Sequence, residues 1–168
     1  MSRRIVTLWT GWGLVLLLTA ADVAWHFPRL PERLATHFNV TGQADGWSSR
    51  SSFLTVWLAT LAGMSLLFVG LRWLVHIIPA RFVNMPRRDY WFAPEREGYT
   101  RAAIGELILG IGMLMLATMS GLNHLTMRTN LSATPSLGLW PWVITGANLA
   151  LTLVVVLTFT RRFARVPP

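Results

Sequence analysis

The chain has 168 residues, of which 53% are hydrophobic and only 13% charged, against about 25% charged in a typical soluble domain. Its formal net charge is +8, every basic residue among the fifteen is arginine, and there is no cysteine. Disulfides, thiol nucleophiles and cysteine-ligated metals are therefore excluded, and so is an ordinary soluble fold.

The apolar residues gather into four blocks. Ile5 to Ala21 carries no charge and continues past Asp22 to Trp25, and Phe53 to Leu71 carries none before Arg72. Leu107 to Met127 and Leu137 to Thr160 are also free of Asp, Glu and Arg. A bilayer core about 30 Å thick takes roughly 20 helical residues. Lipid offers the backbone no hydrogen bonds, so such blocks must be helices. The expected fold is an all-α membrane protein, a bundle of four transmembrane helices in a single domain, with spans at about 5–25, 53–76, 104–127 and 139–160. The first block is longer than a usual signal-peptide core and lacks a small-residue cleavage site, so it reads as a retained span.

Arginine placement sets the expected orientation. Ten arginines (3, 4, 81, 87, 88, 96, 101, 161, 162 and 165) flank the spans on one side, against four (29, 33, 50 and 128) on the other. By the positive-inside rule both termini and the loop 79–103 are cytoplasmic, and the loop 27–51 lies outside. The basic excess then favours anionic lipid headgroups rather than nucleic acid. Trp25, Trp140 and Trp142 at outer ends and Trp73 at an inner end fit interfacial belts, whereas Trp12 sits too deep.

The outer loop contains "FPRLPERLATHFNVTGQADGW", Phe27 to Trp47. Pro28 and Pro31 favour extended or turn geometry. Thr36 to Val40 has strand-like spacing of aromatic and β-branched residues, and Thr41-Gly42 and Asp45-Gly46 are turn signals. These cues predict a small hairpin capping the bundle between the first two helices. Its side chains would be fixed by hydrogen bonds of His37, Asn39 and Asp45, with Gly42 and Gly46 at the turns. Leu30, Leu34, Phe38 and Trp47 would be buried against the helix ends, and Ser51 or Ser52 would cap span two.

The middle loop reads "PARFVNMPRRDYWFAPEREGYTR". Its prolines interrupt any continuous helix, and Glu95 to Arg101 reads as a short helix leading into span three. Arg87, Arg88, Tyr90 and Trp91 form a candidate cytoplasmic contact for a partner or for lipid headgroups. An ordinary membrane-surface loop fits them as well.

Candidate chemistry collects at the outer ends, at Asp22, His26, His37 and His124. Asp22 and His26 share one side of span one. Without an HExxH-type pair the four are expected to cluster with no stoichiometric metal, or Asp22 to pair with Arg29 or Arg33. There is no nucleophile elbow, no glycine-rich phosphate loop and no intramembrane carboxylate pair. No catalytic residue, cofactor or metal is therefore expected. Within the bundle, Gly110, Ala117 and Gly121 offer a small-residue face, Asn148 an interhelical hydrogen bond, and Glu106 a structural pair with Arg72 or His76.

The stretch "LPERLATHFNVTGQADGW" resembles the signature of a bacterial membrane domain of unknown function found in SdpI-like immunity proteins: Leu-Pro, then Thr-His-Phe-Asn, a glycine, and Asp-Gly-Trp. "NMPRRDYWFAPERE" is similar to the segment that follows in many relatives. Ala35 and Ala44 stand where relatives often carry proline. The resemblance implies a non-enzymatic protein of the bacterial inner membrane that meets a membrane-protein or peptide partner, as in immunity against a secreted peptide coupled to signalling. An accessory structural subunit of a larger membrane complex is the alternative.

Overall fold

The structure is a computed structural model, and it describes residues 3–166. It is 75% helical, and four of its helices are long and apolar enough to cross a membrane. Helix α1 spans Arg3–His26 and ends in a 3-10 turn at Phe27–Arg29. Strands β1 (Arg33–Phe38) and β2 (Ala44–Ser49) pair antiparallel and lead into α2 (Arg50–Ile77). A one-turn helix α3 (Arg88–Trp91) precedes α4 (Pro94–Thr129), and α5 (Trp140–Ala164) completes the order.

Helix α4 is the hub: α1, α2 and α5 each pack along it. The reason is its small and medium side chains, which let neighbours close in. Gly112 is the tightest point. A Cβ there would lie 2.5 Å from Phe68 and 2.8 Å from the Trp12 ring. The small face read from the sequence is therefore shifted: Gly110 and Gly121 meet only single methyl groups, of Leu8 and Ile144, at 3.9 and 3.8 Å. Trp12 is buried with Ile5, Leu61, Phe68, Leu109 and Leu116 in the central core, which explains why it sits too deep for an interfacial belt.

Two smaller cores close the ends. At the hairpin end Leu30, Leu34 and Met127 are buried together against Val23, Phe27 and Phe53. At the opposite end Trp91, Ala103 and Phe163 pack with Met85, Tyr90 and Phe159. Many of the remaining large apolar side chains of α1, α2 and α5 are exposed on the bundle's flanks, as a lipid-facing surface requires.

Several boundaries differ from the sequence reading. The connection after α2 is shorter than 79–103, because Pro94 opens α4 as an N-terminal proline and the helix runs unbroken through Glu95–Arg101 into the third span. Helix α2 is capped by Ser49, whose side chain accepts the Ser52 N–H, rather than by Ser51 or Ser52. Asn148 donates Nδ2 to the Leu114 carbonyl across α5 and α4 at 3.0 Å. Glu106 lines one cavity with Arg72 and Arg4, whereas His76 is not part of that lining.

Candidate functional site at the hairpin end

The hairpin is held by its own side chains and by the bundle. At the tip, Asn39 Oδ1 accepts from the backbone N–H of Thr41 and Gln43, both at 3.0 Å, and from the Thr41 hydroxyl at 2.7 Å. This is the local bonding that makes asparagine a turn residue. Gly42 follows at φ 79, and a Cβ on it would meet the Gly138 backbone at 2.5 Å, so glycine serves both the turn and a close approach. Along the strands His37 lies opposite Gly46, where a Cβ would sit 2.7 Å from that of His37. His37 Nδ1 and Asp45 Oδ1 are 2.5 Å apart on the exposed face.

The bundle grips both ends of the hairpin. Asn130, at the end of α4, accepts the Ala35 N–H at 2.7 Å and donates to the Ala35 carbonyl at 2.8 Å. A proline at Ala35 would have no N–H to give. The tip is tied to the α4–α5 connection: Leu137 N–H and Ser136 Oγ both donate to the Gly42 carbonyl, and Trp142 Nε1 donates to the Val40 carbonyl. At the base, Arg50 bonds the Leu30 carbonyl and pairs with Glu32. The two strands thus form a strap across the bundle's end.

The aromatic and apolar residues divide between seat and surface. Leu30 and Leu34 are buried, each contributing about 1.5–3 kcal/mol, and Phe38 is half-buried. Trp47 is 46% exposed, contrary to the expectation that it would bury; opposite Ala35 in register, it points away from the seat. Val40, Leu139, Trp140 and Trp142 are exposed beside the tip, which gives this end an apolar rim.

Beneath the strap, a groove of about 500 Å³ lies between α2 and α4. Phe53, Val56, Trp57 and Leu61 of α2 and Met119 and Leu122 of α4 form its apolar walls. Thr36 and Ser48 of the hairpin, Ser52, Thr126 and Asn123 place polar atoms at its upper part. Asn123 is buried, touches Met127 Sδ through Nδ2 at 3.8 Å, and leaves Oδ1 buried without a hydrogen-bond partner. An orphaned acceptor of this kind costs about 1–3 kcal/mol.

On the α1 side, Asp22, His26 and His124 come together. Asp22 Oδ1 lies 3.0 Å from His26 Nδ1 and 2.8 Å from His124 Nδ1. His37 is not with them: it belongs to the hairpin's exposed pair with Asp45. Asp22 pairs with histidines rather than with Arg29 or Arg33, because Arg29 turns back onto the Trp25 ring and carbonyl.

At the opposite end, Trp91 is buried and donates Nε1 to the Phe163 carbonyl at 2.7 Å, so it is a packing residue and not a contact surface. Tyr90 is half-buried under Arg96, Arg87 holds the left-handed turn before α3 at φ 52, and Arg88 pairs with Asp89. Of the four residues grouped there from the sequence, Arg87 and Arg88 are the exposed ones.

Sequence reading missed Asn130 and Asn123. An asparagine just past the apolar stretch of a span was the available signal for a helix-end residue that bonds elsewhere.

A family model described as "Domain of unknown function (DUF1648)" matches residues 14–63, which run from mid-α1 through the hairpin into α2. No curated protein and no solved structure matches the chain. The similarity to this family thus covers the strap and the α2 wall of the groove.

Proposed function

We propose that this is a non-enzymatic membrane protein of the SdpI-like immunity or sensor type, in the bacterial inner membrane with both termini cytoplasmic. Its hairpin face recognises an amphipathic peptide or a small membrane-protein partner from outside. The observation that carries this reading is the groove under the strap: apolar walls for a greasy segment and hydroxyls at its upper part. A rigid strap over it supports recognition because a preorganised surface loses little entropy on binding. Arg87 and Arg88 at the other end are the contact offered to a cytoplasmic regulator or to lipid phosphates.

Purification in mild detergent tests this, comparing the natural chain with Val56→Trp, which fills the groove, and Asn130→Ala, which frees the strap. A peptide or small membrane protein should accompany the natural chain and be lost from both variants. Partners retained equally by both would place the contact on other helix faces and favour an accessory subunit.

A further inference from the structure

We propose that Asp22, His26 and His124 form a binding site for one divalent transition-metal ion, of the zinc class. One ligand atom from each lies within 4.8 Å of the others. Asp22 and His26 stand one turn apart on α1, and His124 reaches them from α4. His124 Nδ1 hydrogen-bonds the Asp22 carboxylate at 2.8 Å, and His26 Nδ1 lies 3.0 Å from the same oxygen while bonding the Asp22 backbone carbonyl at 2.9 Å, with the rings edge to face at 5.2 Å between centroids.

The distances suit an ion. Zinc bonds of about 2.0–2.2 Å in a tetrahedron place neighbouring ligand atoms roughly 3.3–3.5 Å apart. Each Nδ1–Oδ1 contact need open by only about half an ångström for an ion to replace the Nδ1 protons. Two neutral imidazoles and one carboxylate leave the loaded site with a single positive charge. Arg29 is held away on Trp25 and does not compete for the carboxylate.

A fourth position has room. A cavity of about 250 Å³ opens beside the cluster, lined by Thr19, Ser120, Asp22 and His124 among apolar neighbours. Thr19 donates to Ser120 at 2.7 Å across the same helix pair, so the seam below the site is already polar. Three protein ligands with an open position is the pattern of an accessible zinc site rather than a closed structural one. All three side chains are partly exposed. The absence of a local ligand motif does not count against it. The third ligand comes from α4, and no motif on α1 could display it. Bound there, the ion would clip α1 to α4 directly below the strap. This inference rests on the cluster's geometry and is independent of the peptide-recognition reading.

The test uses the full chain in detergent with any affinity tag removed, stripped with a chelator and titrated with zinc or cobalt(II). The expected result is one ion per chain, a cobalt spectrum with the visible bands of four-coordinate geometry, and a raised thermal midpoint. His124→Ala and Asp22→Asn should bind about 100-fold more weakly or not at all, while His37→Ala and His76→Ala bind as the natural chain does. No binding by the natural chain would overturn the proposal, and so would binding abolished by His37→Ala. If His124→Ala does not fold, His26→Ala on the other helix, together with the natural chain's cobalt spectrum, decides the matter.

Discussion

Asn130 reads Ala35 as a neighbouring strand would, accepting its N–H at 2.7 Å and donating to its carbonyl at 2.8 Å, with both residues buried. A single side-chain amide therefore docks β1 on the end of α4. Asn130→Ala leaves both Ala35 backbone groups unsatisfied, at about 1–3 kcal/mol for each. The strap should loosen while the four helices still insert. Limited proteolysis within residues 27–49 and amide exchange at Ala35 read this out. Unchanged protection would show that Leu30, Leu34, the Arg50 contacts and the ties to the tip hold the strap without Asn130.

Trp91→Ala should destabilise the protein by about 3–5 kcal/mol, because it removes a buried ring from the Phe163 cluster together with its bond to the Phe163 carbonyl. Arg88→Ala removes an exposed pair with Asp89 and should cost less than about 1 kcal/mol. Thermal unfolding in detergent separates the two.

Gly112→Ala tests the hub. The added methyl would enter the space of Phe68 and Trp12, an overpacking expected to cost about 1–3 kcal/mol. Gly63→Ala meets nothing within 4 Å and should be neutral or mildly stabilising in the same unfolding assay.

Much of this architecture is legible in the sequence, for physical reasons. Lipid forces every backbone group of an uncharged twenty-residue block into a helix, so the four helices follow from composition. Asn39 bonds its own backbone and Gly42 supplies the positive φ, so the hairpin's tip follows from local chemistry, whereas the Asp45-Gly46 pair makes no turn and lies within β2, Gly46 opposite His37. The rest depends on how helices are rotated against each other. Asn130 finds Ala35 and His124 finds Asp22 across about a hundred residues. Nothing in the run around Gly112 shows that it, and not Gly110, faces Trp12. Trp91 reads as a surface aromatic among arginines until Phe163 folds back over it. Trp47 reads as a buried anchor until the register turns it outward.

Orientation is tested by cysteine labelling. Val40 is the better outer position, being 76% exposed, since a side chain at Gly42 would strike Gly138. Val40→Cys should react with a membrane-impermeant maleimide in intact cells, and Arg88→Cys only after permeabilisation. The reverse pattern would invert the arginine-based topology.

The most direct measurement of the recognition claim is photo-crosslinking in living cells from a reactive residue placed at Val40 on the strap, at Val56 in the groove, or at Leu67 on the exposed flank of α2. The account predicts one shared peptide or small-protein adduct from Val40 and Val56 and lipid alone from Leu67. Lipid alone from all three positions, or a protein adduct only from Leu67, would contradict it.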